Sequence, residues 1–347
     1  MISKLISTVL LFSLNAMAQD FLPAYLLKLD SQFTHHVMVV EKSTHKLYLY
    51  ENQNGIPKLL KTYKVATGKI KGNKQVQGDK KTPEGIYRFH VFHSANDLNQ
   101  MYGKTGLIYG AGAFTLNYPN VIDRREGKTG GGIWLHSTDD DSRIDKGLDS
   151  RGCVVAVDED LKNISRYIDL LNTPMIIVQN QQYLTRETWT ENKNEIESVI
   201  NTWLTAWQNK DFNTYIDQYS PSFHNARKGS YNQYKAYKRA VFSRTDSPQI
   251  ALNNVSILQF SDYAVVTMEQ DYKSDIIQDI GKKIIYLQKN ASYEWKIIAE
   301  NWYKLPTNYG VAFEPNQRFF LSTENDNTEK LVKVSKEPAT ESSTNTN

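Results

Sequence analysis

The chain holds a single cysteine, Cys153, among 347 residues. One cysteine excludes an internal disulfide, and it excludes zinc sites built on cysteine pairs. Long apolar runs are missing as well. The run from Leu5 to Leu14, broken by Ser7, Thr8 and Ser13, falls short of the roughly 20 residues a bilayer span needs. No later stretch is apolar enough to cross a membrane. Charge of one sign is also scarce: 41 basic residues against 38 acidic leave a net charge of +3. Such a near balance offers no electrostatic footing for nucleic acid. The histidines show no metal-ligand spacing. His90 and His93 lie three apart on an apparent strand and are expected on opposite faces. Asp139 to Asp141 lacks the glycine and glutamate of a calcium loop.

What is present begins with an export signal. Lys4, the short apolar run and Ala16-Met17-Ala18 make a signal peptide over 1–18, cut before Gln19. A length of 347 residues, 40% of them hydrophobic, predicts two cores and two domains. Residues 19–35 read as a leader. From 36 to 180, short apolar runs such as VMVV, LYLY and CVVAV alternate with glycine-rich and polar turns, the texture of a mainly β domain with long loops. Within it, Leu161, Ile164, Ile168 and Leu171 predict a helix capped by Asp158. Residues 180–190 are polar and read as a linker.

A second unit runs over 190–304. Ile196, Val199, Ile200, Trp203, Leu204 and Trp207 share one helical face. A further helical stretch surrounds Tyr231 to Phe242, and strand-like runs follow, which argues for a smaller α+β domain. From 325 to 347 the polar tail predicts disorder.

Chemistry concentrates in one stretch, GGIWLHSTDDDSRIDKGLDSRGCVVAV. His136 ends one apolar run and Cys153 starts another, 17 positions later. A thiol attacks as thiolate, and a neighbouring imidazole accepts its proton. Gly152 lets the backbone approach closely, so amides near Cys153 are candidate oxyanion donors. Arg151 supplies a charge that lowers a thiol pKa or holds a substrate carboxylate. On chemistry alone, a lone cysteine before a valine-rich strand reads equally well as a small buried hydrophobe.

At these residues the chain resembles the L,D-transpeptidase catalytic domain (YkuD-like) family. The match is His136, then Ser150-Arg151-Gly152-Cys153-Val154, with VATGKIKGNKQVQGDKKTPEGIYRF and LNYPNVIDRREGKTGGGIWLH upstream. It spans about residues 36–180. Ser137 stands where a glycine usually follows the histidine, and Val155 where an arginine is often found. The resemblance implies a β-sandwich-like fold and attack on the bond between meso-diaminopimelate and terminal D-Ala in peptidoglycan stem peptides. It makes Cys153 the nucleophile and His136 the base. Ser150 would position the histidine or line the site, and the amides of Gly152 and Cys153 would form the oxyanion hole. Arg151, Arg124 and Tyr109 would hold the stem. No metal or organic cofactor is implied, and the compartment is the periplasm.

The second unit resembles the NTF2-like fold, with Tyr231, Tyr234, Tyr237, Trp295 and Trp302 as candidates for a glycan pocket or for core. The pairing resembles cell-curvature L,D-carboxypeptidases, which favours hydrolysis of the acyl-enzyme. The alternatives are an L,D-transpeptidase that forms 3–3 cross-links or attaches a protein, and a wall-binding protein without catalysis. In those curvature enzymes a leader packs in a dimer, so a homodimer is a further expectation.

Overall fold

The computed structural model describes residues 20–246, 248–305 and 309–320. The expected signal peptide over 1–18 and the expected disordered tail over 325–347 lie outside the described residues.

Two short strands come first, β1 (Phe21–Pro23) and β2 (Leu26–Lys28). The first half then forms β3 (His36–Glu41), β4 (Lys46–Gln53), β5 (Ile56–Lys64), β6 (Thr67–Gly68) and β7 (Gly85–Ser94). After α1 (Ala95–Tyr102) and a 3-10 segment over Gly103–Tyr109 come β8 (Gly112–Leu116), α2 (Val121–Arg125) and β9 (Trp134–His136). It closes with α3 (Ser142–Lys146), β10 (Leu148–Ser150), β11 (Val154–Val155), α4 (Asp158–Ser165) and β12 (Pro174–Val178). The second half contains β13 (Tyr183–Thr185), α5 (Arg186–Gln208), α6 (Phe212–Asp217), β14 (His224–Asn225), β15 (Gly229–Ser230) and α7 (Tyr231–Arg244). Four long strands end it: β16 (Gln249–Phe260), β17 (Tyr263–Lys273), β18 (Gln278–Lys289) and β19 (Trp295–Lys304). The mainly β first half and the α+β second half expected from the sequence are both present.

Eight strands of the first half form one mixed sheet in the order β11-β9-β8-β7-β12-β3-β4-β5. The sheet curls on itself. Ala66, just past β5, exchanges both backbone hydrogen bonds with Val155 of β11, at 2.8 and 2.9 Å. Leu47, Leu49 and Tyr63 from one end of the sheet therefore share a core with Leu135 and Val154 from the other, closed by Leu161 and Ile164 of α4. β-Branched and aromatic residues fill the pleat, as strand packing favours.

In the second half, α5 buries Ile196, Ile200, Trp203 and Trp207 on one stripe. That stripe packs into the concave side of the sheet β19-β18-β17-β16-β2. The opposite side of this sheet meets the first half. Val37, Val39 and Ile176 pack with Leu258, Val265 and Ile284, all but Ile284 at 2% exposure or less. At about 1.5–3 kcal/mol for each fully buried aliphatic side chain, this seam docks the halves rather than leaving them tethered.

Two local expectations are corrected. Residues 180–190 are not an open linker: β13 pairs with β1, and α5 starts at Arg186 with Thr185 as its cap. Within the leader, β2 pairs with β16 as the edge strand of the second sheet. Three-residue strands bind through backbone groups and show too little alternation to be read from side chains.

Candidate active site

β9 and β11 are parallel neighbours, with Leu135 opposite Val154 and His136 opposite Val155. Leu135 and Val154 point into the core. Strand alternation then puts His136 and Val155 on the other face, and Cys153, two residues before Val155, on that same face. The two residues that the sequence pairs thus lie on one face of adjacent strands, diagonally placed in the register.

His136 is buried, at 3% exposure. Its Nδ1 lies 2.5 Å from the carbonyl oxygen of Ser137. A carbonyl only accepts, so Nδ1 carries the proton and Nε2 keeps its lone pair. The Tyr109 ring meets the imidazole edge-on at 4.9 Å. Burial lowers the His136 pKa to about 4; the Ser137 carbonyl opposes that shift and the charge of Arg143 adds to it. The imidazole is neutral at pH 7.

Cys153 is half-buried, and its Sγ donates to the Gly132 carbonyl at 3.4 Å. Burial raises the thiol pKa to about 11, against the Trp134 backbone amide, Arg143 and Lys74, which all favour thiolate. Burial thus favours the neutral form of each group, the thiol of Cys153 and the imidazole of His136. Both groups are desolvated, and charge separation costs more there than the pair regains. The space beside Gly131 and Gly132 is open, so this flank of the thiol is accessible.

Ser150 turns out to build the cysteine loop rather than to orient the histidine. Its hydroxyl donates to the Cys153 carbonyl at 2.6 Å and accepts from the Gly152 amide at 3.0 Å. The Gly152 amide is thereby occupied by Ser150 Oγ and is not free for the expected oxyanion hole. Gly152 itself has φ +129°, and a Cβ there would sit 2.8 Å from the Lys81 carbonyl oxygen. Only glycine fits that conformation in that space.

Tyr109 and Arg151 join the site. Arg151 is exposed at the loop tip and close enough to Tyr109 to offset the rise that burial and Cys153 impose on the phenol pKa. Arg124 does not join. It sits on α2, its guanidinium donating to the Pro119 carbonyl, and it lines a separate cleft between the two halves.

Residues to which the sequence reading gave no role in the site also shape it. The Ala111 amide donates to both Ser137 Oγ at 2.8 Å and Asp158 Oδ1 at 2.9 Å, while Ser137 Oγ donates to the Tyr109 carbonyl at 3.1 Å. These bonds hold the Tyr109 loop over the imidazole. Gly110 permits it, at φ +55° with Asp158 Oδ1 only 2.4 Å from where a Cβ would stand. Asp158 is thus recruited by this loop instead of capping α4, whose cap is Val157. Arg143 bonds Asp149 at 2.6 Å, the Ile108 carbonyl at 3.2 Å and Thr138 Oγ1 at 3.1 Å. It is the cation whose charge reaches both His136 and Cys153. The serine after His136 was visible as a departure from the family pattern; nothing in the local sequence marks Arg143.

The second half buries another polar group. Glu300 pairs with Lys283 at 2.8 Å and accepts from Tyr234 at 2.7 Å and Tyr219 at 3.1 Å. Lys238 lies 4.2 Å from the Trp207 ring centroid. Of the aromatics read as glycan pocket or core, Tyr231, Tyr234 and Trp295 belong to the core of this domain, while Tyr237 is exposed.

This geometry can be set beside known proteins. The family model for the L,D-transpeptidase catalytic domain, YkuD, matches residues 35–177, and that for the Cds6 C-terminal NTF2-like domain matches residues 195–301. Among solved structures, Bd1075 of Bdellovibrio bacteriovorus is 32% identical, with a TM-score of 0.72, covering 83% of this chain and 100% of its own. The chain belongs to the L,D-transpeptidase (YkuD) family. The helical cell shape determining protein Pgp2 of Campylobacter jejuni is 25% identical, with a TM-score of 0.61, covering 80% of this chain and 95% of its own. A comparison with curated proteins finds no match. As a YkuD-family enzyme with an NTF2-like second domain, the chain is a peptidoglycan-modifying L,D-peptidase. Among the described residues no helix is long and apolar enough to cross a membrane.

Proposed function

We propose that this YkuD-family enzyme is a periplasmic L,D-carboxypeptidase that trims tetrapeptide stems to tripeptides. The observation that carries the reading is the His136 tautomer: Nδ1 is pinned by the Ser137 carbonyl, and Nε2 faces the sheet surface that also holds Cys153. For attack, the Cys153 thiol gives up the Gly132 carbonyl for that lone pair. Hydrogen bonds of this kind are often long before substrate binds.

The thiol proton passes to Nε2 as Sγ attacks the carbonyl carbon of the bond between meso-diaminopimelate and D-Ala. The Cys153 amide donates to the oxyanion. As the C–N bond breaks, the imidazolium returns the proton to the departing D-Ala amine, leaving a thioester. Water attacks the thioester, with Nε2 taking its proton. The tripeptide carboxylate leaves and the thiol is restored. Arg151, exposed beside Tyr109, holds a stem carboxylate. The sequence motif at 16–18 supports export to the periplasm.

The test is digestion of tetrapeptide muropeptides with the full chain, read by mass. Tripeptide is expected, and it is lost in Cys153→Ala. Consumption of tetrapeptide with 3–3 dimers in place of free tripeptide would show transpeptidation, and no reaction at all would reject the enzymatic reading.

A further inference from the structure

The loop that joins β6 to β7 carries a buried ion pair that the acyl-transfer steps do not use. Lys74 is 3% exposed. Its ammonium donates to Asp79 Oδ1 at 2.8 Å and to the Val76 carbonyl at 3.0 Å, and it lies 6.0 Å from the Tyr118 ring centroid. Asp79 is bonded on both oxygens. Oδ2 accepts from the amides of Gln75 at 2.8 Å and Val76 at 3.2 Å, and Oδ1 also accepts from the Lys81 amide at 3.2 Å. Burial works to raise the Asp79 pKa, but Lys74 and these amides overrule it and bring it down to about 2. Asp79 is thus ionised at neutral pH and gives the lysine a fixed counter-charge. Burying an ion pair is costly, and an apolar pair of similar volume holds a loop as well or better. Stability alone does not account for it.

The loop so fixed braces both backbone segments that flank the sulfur. On one side, the Thr129 amide donates to the Gln75 carbonyl at 3.0 Å, and the Gln77 amide donates to Thr129 Oγ1 at 3.2 Å. The Tyr118 hydroxyl donates to the Thr129 carbonyl at 3.2 Å. This segment runs on to Gly132, whose carbonyl accepts from Cys153 Sγ. On the other side, the Lys81 carbonyl packs against Gly152, where a Cβ would come within 2.8 Å of it. The Lys69 amide donates to the Ser150 carbonyl at 2.8 Å, at the start of the cysteine loop. Charge reaches the sulfur too. Burial raises the thiol pKa, and Lys74 and Arg143 are the cations that oppose it. The other titratable or charged groups around the sulfur are His136 on β9, Tyr109 over the imidazole and Arg151 at the loop tip.

We propose that Lys74, locked by Asp79, is a positioning residue for the reaction at Cys153. It fixes the two segments that flank the sulfur and keeps a cation near it as the thiolate forms. The proposal rests on the stem-peptide reading only for the substrate of its kinetic test.

The test uses the full chain and Lys74→Gln, which keeps a donor for Asp79 and removes the charge. Iodoacetamide labelling of Cys153 at pH 8 reports the thiolate directly. It is expected to slow about fivefold, the effect of one cation lost at short range in a partly buried site. A role confined to bracing predicts the opposite sign, because a loosened loop admits water and relieves the burial that disfavours thiolate. Unchanged or faster labelling therefore overturns the proposal. With tetrapeptide muropeptide, kcat is expected to fall by about the same factor at constant KM, since the charge acts on a thiolate absent from the ground state. A rise in KM at constant kcat also overturns it. Thermal melting checks folding. If Asp79, left without its cation, unfolds the single variant, the double change Lys74→Gln, Asp79→Asn leaves neither charge and is judged by the same labelling. If the unaltered protein trims no tetrapeptide, the activity reading fails by itself, and the labelling still decides on Lys74.

Discussion

Two regions of this molecule bury titratable groups, and they do so in opposite ways. At the β9–β11 edge, His136 and Cys153 are desolvated without a charged partner in hydrogen-bond reach, and both are driven to their neutral forms. Inside the NTF2-like domain, burial also raises the Glu300 carboxyl, but Lys283 and Lys238 outweigh it and hold Glu300 below the usual carboxylate range. Burial brings Lys238 down to about 7, with Glu300 opposing. The first arrangement leaves a nucleophile and a base free to exchange a proton. The second satisfies its charges internally and spends them on structure.

The sharpest contrast comes from truncating one member of each set. Cys153→Ala should lower tripeptide release by about three orders of magnitude or more. Its unfolding free energy should shift by less than about 1 kcal/mol. Glu300→Ala should do the reverse. It strands Lys283 and Lys238 and costs about 3–5 kcal/mol in urea unfolding, while the folded fraction keeps its turnover. Equal stability losses in the two variants would erase the comparison.

The pH response separates them next. Folding lowers the His136 pKa to about 4, from about 6.5 in the unfolded chain. Its neutral form is the favoured one, so the stability it contributes is complete above pH about 6.5 and is lost as pH falls towards 4. The acid limb of kcat/KM should lie nearer 4 than 6.5, and iodoacetamide should label Cys153 slowly at pH 7 and faster as pH climbs towards 11. An acid limb between pH 6 and 7 with rapid labelling would show that the ion pair exists at rest.

The smallest effect tests the loop above the imidazole. Ser137→Gly removes the hydroxyl that ties Tyr109 and Ala111 to β9. At about 1 kcal/mol for a hydrogen bond, kcat/KM should fall by about fivefold, with the pH profile unmoved. A displaced acid limb would place Ser137 on the proton path itself.

Local pattern alone determined a good deal of this protein. The stripe from Ile196 to Trp207, the fully apolar strands around Val37 and Ile176, and the Ser150-Arg151-Gly152-Cys153 loop are all legible in order along the chain, because helix and strand periodicity and glycine sterics act over a few residues. Tertiary structure decided the rest. His136 and Cys153 share a face only because β9 and β11 are parallel neighbours in a given register. Arg143 and Asp158 serve the site through contacts that no local pattern marks, and Arg124 leaves it for the interdomain cleft. The neutral resting pair follows from desolvation, which depends on everything packed around the two side chains and on nothing written beside them.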